Sequence, residues 1–277
     1  MAHRLDLDAY FTRIHWRGTT APTHATLAGL LAAHMDHIPF ENIDVLLGRP
    51  VRLDLEGLQA KLVHARRGGY CFEHATLFAA VLEALGFAPL RHAARVIVFQ
   101  PRSEVARTHM FLSVTVDGAR YVVDPGFGPF ASRSPVPLDG AGVPVPLDGA
   151  GVPPDRPMHR MAREGADWVL HAPHHGTQVA AWISTLEPEN PADFEVANYF
   201  IATHPDSLFR NWLIASAATP DGRVNVMNRD VTVVRAGTPT TVQLPHRNAL
   251  RALLAENFGF DLPEVETIQV PAIPDWA

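Results

Sequence analysis

Arg66-Arg67-Gly68-Gly69-Tyr70-Cys71-Phe72-Glu73-His74 holds the only cysteine of a 277-residue chain. Two glycines open a tight turn. An apolar series at helical spacing follows (Phe72, Leu77, Phe78, Val81, Leu82, Leu85) as far as Gly86. The pattern predicts a loop that delivers Cys71 to the first turn of a buried helix, with Gly86 as its stop. The free N–H groups and positive dipole end of a helix start favour a thiolate. A lone cysteine is more often an inert buried residue than a nucleophile, so the reading turns on what partners the chain supplies.

Two partners lie further along. Thr108-His109-Met110 opens a strand-like run from Met110 to Val116, and Val122-Val123-Asp124-Pro125-Gly126-Phe127-Gly128 closes the next one. Asp117-Gly118 between them is a two-residue hairpin signal. The hairpin puts His109, at the start of one strand, beside Asp124, at the end of its antiparallel partner. A thiol nucleophile needs a base, and the base needs a third group to fix its tautomer and steady its positive charge. Cys71, His109 and Asp124 supply that set in the order found in papain- and transglutaminase-type thiol enzymes. His74 is a rival base, three residues after Cys71 and so on the same helical face, but no carboxylate partner for it is evident.

The sequence resembles the arylamine N-acetyltransferases over most of its length. The matching stretches are Tyr10-Phe11 with Ile14, Ile38-Pro39-Phe40-Glu41-Asn42, Gly48-Arg49-Pro50, Arg67 to Glu73, Thr108-His109, Asp124 with Gly126-Phe127-Gly128, Asn198-Tyr199, and Pro205 with Ser207 and Phe209. Pro125 departs from the small or branched residue usual at that position. It holds Asp124 extended and removes a backbone donor beside it. The resemblance implies an α+β fold in three parts: an N-terminal helical bundle (1–88) carrying Cys71, a central antiparallel β-barrel-like domain (89–190) carrying His109 and Asp124, and an interdomain helix with a C-terminal α/β lid (191–277). It also implies acetyl-CoA as a co-substrate that is not permanently bound, an aromatic amine or hydrazine as acceptor, and a monomer or homodimer. Thr108, Gly126 and Phe127 are then expected to line the acyl pocket and the approach of coenzyme A, with Phe40, Val96 and Phe209 as further walls. Phe127 and Phe209 each have a second reading as ordinary core aromatics.

Composition narrows the field. A formal net charge of −6 offers no basic face for nucleic acid. One cysteine excludes an internal disulfide and a cysteine-based zinc site. No apolar run approaches a membrane span, and Met1 to Asp6 lacks the apolar core of a signal peptide. The expectation is a soluble cytoplasmic protein with no membrane and no nucleic-acid partner. Lys61 is the only lysine, among 23 lysines and arginines, which reads as compositional bias.

In chain order, helices are expected over Leu5 to Ile14, after Thr23 as N-cap, after Asp54 as N-cap, and from Cys71. Glu41, between Phe40 and Ile43, is expected to pair with Arg67 and brace the loop before Cys71, because a buried charge needs a partner. From Pro89 the pattern turns to strands: Ala94 to Phe99, Met110 to Val116, Arg120 to Asp124, Trp168 to Ala172 and Gln178 to Leu186. Residues 135–152 write Pro-Val-Pro-Leu-Asp-Gly-Ala-Gly-Val twice, which suits a duplicated surface loop and not a helix or central strand. His171, His174 and His175 cluster around Pro173 and Gly176, a turn pattern without a nearby carboxylate, so no metal site is assigned. A helix over Ala192 to Thr203, strands over Asn211 to Ala217, Arg223 to Met227, Asp230 to Arg235 and Thr240 to Leu244, and a last helix from His246 to Phe258 complete the reading.

The chemistry expected is ping-pong acetyl transfer through an acetyl-Cys71 intermediate. A thiol hydrolase or amide synthase would use the same residues with a different acceptor. A catalytically silent binding module would have no need of all three.

Overall fold

The computed structural model describes residues 4–98, 100–140, 142–144, 158–174 and 176–276. The N-terminal part is built from short helices whose starts follow from side-chain caps. In α1 (Leu7–Arg13) Asp6 accepts from the Ala9 amide, in α2 (His24–His37) Thr23 accepts from Thr26, and in α4 (Leu55–Leu58) Asp54 accepts from Gly57. A π-helical turn, Gln59–His64, extends α4. The sequence pattern shows neither β1 (Phe40–Glu41) nor the single turn α3 (Ile43–Leu46). The central helix, α5, runs Cys71–Ala84 and ends at Gly86, whose φ of +84° suits glycine. Its inward face is apolar almost throughout, with Phe72, Ala75, Leu77, Phe78, Val81 and Leu82 buried against α1, α2 and the first long hairpin.

That hairpin is β3 (His109–Val116) and β4 (Ala119–Val123), turned at Asp117 and Gly118 with both in positive φ. The eight-stranded antiparallel sheet is ordered β5-β4-β3-β2-β9-β8-β7-β6, with β2 at Leu90–Val96, β7 at Met158–Glu164, β8 at Asp167–His174 and β9 at Thr177–Ser184. It curls until β5 (Val136–Pro137) approaches β7, giving a nearly closed barrel-like sheet. The third part has α6 (Pro191–Thr203), α7 (Leu208–Asn211) and a five-stranded antiparallel sheet, β1-β10-β11-β12-β13. Its strands are β10 Ile214–Thr219, β11 Gly222–Met227, β12 Asp230–Arg235 and β13 Thr238–Gln243. The last helix, α8 (Arg247–Leu253), is capped by His246 and continued by a π turn to Phe258. Since β1 belongs to the N-terminal segment, this sheet ties the two ends of the chain together next to the Cys71 loop. Among the described residues no helix is long and apolar enough to cross a membrane.

Four expectations need correction. Residues 211–213 are not strand, because α7, capped by Ser207, uses Asn211 as its last residue. The strand expected over Ala94 to Phe99 stops at Val96, and Phe99 lies outside the described residues. His171 falls in the expected Trp168–Ala172 strand and not in a turn; that strand, part of β8, runs on through Pro173 to His174, with Pro173 paired with Gln178 near the hairpin end, where a missing donor is tolerated; His175 is outside the described residues. The first copy of the repeat is also more than loop. Val136 is buried and pairs with Val122, and β6 (Val143–Pro144) pairs with Met158 and His159. Both are edge pairings, where proline is admitted.

The second copy, 144–152, lies outside the described residues after Pro144. Deleting it joins Val143 to Pro153, which restores the same Val-Pro dipeptide at β6. Loop-length costs grow slowly, so melting temperature and turnover are expected to stay close to those of the parent. A tenfold rise in KM for the acyl donor would show instead that this segment touches it.

Candidate active site

The loop before Cys71 is set by a buried ionic cluster. Arg67 donates from Nη2 to Glu41 Oε1 (2.7 Å) and from Nη1 to Asp44 Oδ1 (2.7 Å). Lys61 Nζ lies 2.9 Å from Asp44 Oδ2 and 2.7 Å from Glu73 Oε1. Glu73 Oε2 then accepts from the Tyr70 amide (3.0 Å), and Glu41 Oε2 accepts from the Ile43 amide (2.7 Å). The expected Glu41–Arg67 pair is therefore one edge of a five-residue network; Asp44, Lys61 and Glu73 were not legible as its members. Burial pushes Glu73 up to about 7, against the pull of Lys61. Burial alone would lower Lys61, but Glu73, Glu41 and Asp44 outweigh it and hold the ammonium above its usual range.

The glycines serve close approach more than turn conformation. A Cβ on Gly68 would stand 2.1 Å from the Pro39 carbonyl oxygen, and one on Gly126 would stand 2.6 Å from Cys71 Cα. Gly69 bridges to Phe40, donating to Pro39 and accepting from Glu41. Cys71 is thus held between the Gly68-Gly69 loop and the Pro125–Gly128 turn.

His109 and Asp124 meet as the hairpin requires. His109 Nε2 donates to Asp124 Oδ2 at 2.7 Å, with both side chains buried. The Cys71 thiol, 4% exposed, donates weakly to the Thr108 carbonyl (3.8 Å). Burial alone would lower the pKa of His109. The charge and hydrogen bond of Asp124 reverse that, and with the Cys71 contact they raise it to about 10. The arrangement favours an imidazolium. Asp124 has a second donor that the sequence did not reveal: Trp182 Nε1, 3.1 Å from the same Oδ2. Asp124 Oδ1 is buried with no hydrogen-bond partner.

His74 has a different occupation. Its Nε2 donates to the carbonyls of both Pro39 and Gly69 (3.1 Å each), so Nδ1 is an acceptor and takes the His34 Nε2–H (2.8 Å). His34 Nδ1 in turn accepts from Tyr10 Oη (2.8 Å). Every polar atom of the chain Tyr10–His34–His74 is used, and burial lowers His74 to about 4 and His34 well below its ordinary value. His74 clamps the loop in its neutral form.

The other expected residues fall around the triad. The Phe127 ring lies 4.6 Å from that of His109, and Phe209 packs edge-on against Tyr70 (5.3 Å) and Phe40 (6.0 Å). Tyr70 Oη donates to Asn198 Oδ1 on α6, and Asn198 Nδ2 donates to the Val51 carbonyl. Val96, on β2, stands opposite Trp182 in the sheet. A cleft of about 360 Å³, its open mouth included, runs past Phe40, Pro125 and Gly128 to Arg133 and Arg223. Among the described residues no group of His, Cys, Asp or Glu has the geometry of a metal site.

Residues 23–267 match the N-acetyltransferase family model. A curated arylamine N-acetyltransferase of Mycolicibacterium smegmatis is 38% identical over 97% of this chain and 96% of its own. The chain belongs to the arylamine N-acetyltransferase family. The solved structure of the Mycobacterium marinum arylamine N-acetyltransferase in complex with CoA superposes with a TM-score of 0.84 at 34% identity, covering 94% of each chain. That of the Mycobacterium tuberculosis enzyme gives 0.82 at 38% identity, again covering 94% of each.

The buried histidines set the response to acid. His74, His92 and His159 are each lowered to about 4 by burial, and His34 is held well below its ordinary value. These groups are neutral when folded and protonated when unfolded, so their stability is complete above about 6.5 and lost as pH falls toward 4. Glu73, raised to about 7, acts oppositely and offsets roughly one proton. The contribution of His109 is present below about 6.5 and lost as pH rises toward 10. Unfolding of a Cys71→Ser protein, where the thiol does not contribute, is expected to take up about three protons at pH 5. The slope of urea-unfolding free energy against pH measures this; an uptake of one proton or none contradicts the neutral assignments.

Proposed function

We propose that this protein N-acetylates arylamines, arylhydrazines and hydrazides from acetyl-CoA by a ping-pong mechanism through acetyl-Cys71. The observation that carries the reading is the His109–Asp124 pair, buried beside the single cysteine at a helix start. His109 takes the Cys71 proton, and Asp124 steadies the resulting imidazolium and fixes its tautomer. The thiolate attacks the thioester carbonyl. The tetrahedral intermediate collapses with return of the imidazolium proton to the departing thiolate, and coenzyme A leaves. An arylamine, unprotonated at neutral pH, then attacks the acetyl-cysteine, and His109 receives its proton as the second intermediate breaks down.

Phe40, Phe127 and Phe209, with Val96 and Thr108, suit the walls of a pocket for a flat aromatic acceptor. The backbone of Gly126 lets the turn approach Cys71 closely enough to close that pocket. Arg133, paired with Asp36, and Arg223, which donates to the Pro129 carbonyl, line the adjoining cleft. Glu41 and Arg67 act as structural support for the nucleophile loop.

Acetyl-CoA mixed with enzyme in the absence of amine is expected to add one acetyl group, on Cys71. Initial-rate lines at several amine concentrations should be parallel. A rapidly quenched sample without an adduct, together with intersecting lines, would reject the two-step route. Release of free thiol with and without an arylamine separates transfer from hydrolysis.

The triad roles are tested by alkylating Cys71 with iodoacetamide across pH. Wild-type reactivity is expected to persist well below the titration range of a free cysteine. His109→Gln should abolish that low-pH reactivity and Asp124→Asn should reduce it. His74→Gln should keep it, since the acceptor nitrogen of His74 already takes the His34 Nε2–H and its other nitrogen donates to two carbonyls. Loss with His74→Gln and retention with His109→Gln would transfer the role of base to His74.

A further inference from the structure

Trp182 is fully buried on β9 and stacks on Phe111 (centroids 4.2 Å apart, planes at 25°), two residues along β3 from His109. In the sheet, β9 is separated from β4 by β2 and β3, three strand spacings or about 14 Å if flat. The curl of the sheet brings the indole N–H to Asp124 Oδ2 all the same, with Ala94 in the same apolar cluster as the two rings. Burial alone does not force such a bond in this fold: the indole nitrogens of Trp16 and Trp276 are buried with no hydrogen-bond partner.

The carboxylate it meets is short of donors. Both hydrogen bonds to Asp124 fall on Oδ2, one from His109 and one from Trp182, and buried Oδ1 receives none. The next residue is Pro125, which has no N–H to give. A buried carboxylate stays ionised only where hydrogen bonds or a cation stabilise its charge. If Asp124 loses that stabilisation it competes with His109 for the proton, and a neutral His109 no longer stabilises a thiolate.

We propose that Trp182 is a positioning residue for acetyl transfer: its indole N–H fixes the Asp124 carboxylate on His109, in place of a backbone donor that Pro125 lacks. This rests on the triad reading given above. It acts through Asp124 and touches no reacting atom.

The test is the pH profile of Cys71 alkylation by iodoacetamide in wild type, Trp182→Phe and His109→Gln. Phenylalanine keeps a ring for the stack on Phe111 and removes the N–H. Trp182→Phe is expected to move the acid limb up by about one pH unit, a tenfold loss of thiolate at the old midpoint, and to lower kcat with KM little changed. An unmoved acid limb in a folded Trp182→Phe protein, with His109→Gln inactive at low pH, overturns this role and leaves the triad standing. Retention of low-pH reactivity in His109→Gln overturns the triad and this inference together. A second measurement does not need the variant at Trp182 to fold. In the wild-type protein the Trp182 indole proton should resonate downfield and exchange slowly, and Asp124→Asn should move it upfield. The same position in both proteins overturns the proposal.

Discussion

The ionic cluster of Glu41, Asp44, Lys61, Arg67 and Glu73 is the constraint on which the site depends. Its five members come from β1, α3, the π turn after α4, the loop before Cys71 and the first turn of α5. Breaking a buried ion pair by removing one partner costs on the order of 3–5 kcal/mol, because the other charge is left uncompensated. The cluster therefore defines one geometry for the Gly68-Gly69 loop and penalises others. Its cations also account for the only lysine of the chain. A compact ammonium fits between Asp44 and Glu73, where a guanidinium fork needs more room.

The second constraint is closure of the sheet around the triad. His109 and Asp124 come together locally, through a hairpin whose Asp117-Gly118 turn sets the register. That local device cannot by itself bury the pair. Burial comes from β9, which lays Trp182 across Phe111, and from Phe127, which covers the His109 ring. A carboxylate–imidazolium pair is stronger in such a low-dielectric setting and more costly if incomplete. The α6–α7 segment finishes the enclosure. Asn198 takes the Tyr70 hydroxyl, and Phe209 packs between Tyr70 and Phe40.

Much of this was legible in the sequence, and the division between what was and was not has a physical basis. Cys71 at a helix start, the 109–124 hairpin, and the caps Thr23 and Asp54 are local patterns, fixed by residues no more than fifteen positions apart. The Glu41–Arg67 pair was legible because a charge flanked by Phe40 and Ile43 demands a partner. Asp44, Lys61 and Glu73 were missed because ordinary helix surfaces carry the same residues. Trp182 was missed because its contact with Asp124 depends on the curl of a sheet, which no spacing encodes. The glycines of the loop were found for the wrong reason. They look like turn formers, but Gly68 is required by the Pro39 carbonyl lying against it. The extension of the Trp168–Ala172 strand to His174 was hidden by Pro173, whose position near a hairpin end removes the objection to it.

The two histidines that competed for the role of base show what decides such an assignment. His74 and His109 are both buried and both close to Cys71 in the fold, so residue type and depth do not separate them. Their partners do. His74 faces two carbonyls and a second neutral imidazole, a set that fixes one tautomer and offers no negative charge to balance a proton. His109 faces Asp124, and the electrostatic gain from that carboxylate exceeds the cost of burying an imidazolium. The same burial that drives His74 to about 4 is thus reversed for His109, which rises to about 10. Desolvation raises the stakes for both groups without choosing the outcome. The difference is made by a single carboxylate fifteen residues away, and the two hydrogen bonds that fall on its Oδ2 belong to the proposed base as much as the imidazole ring does.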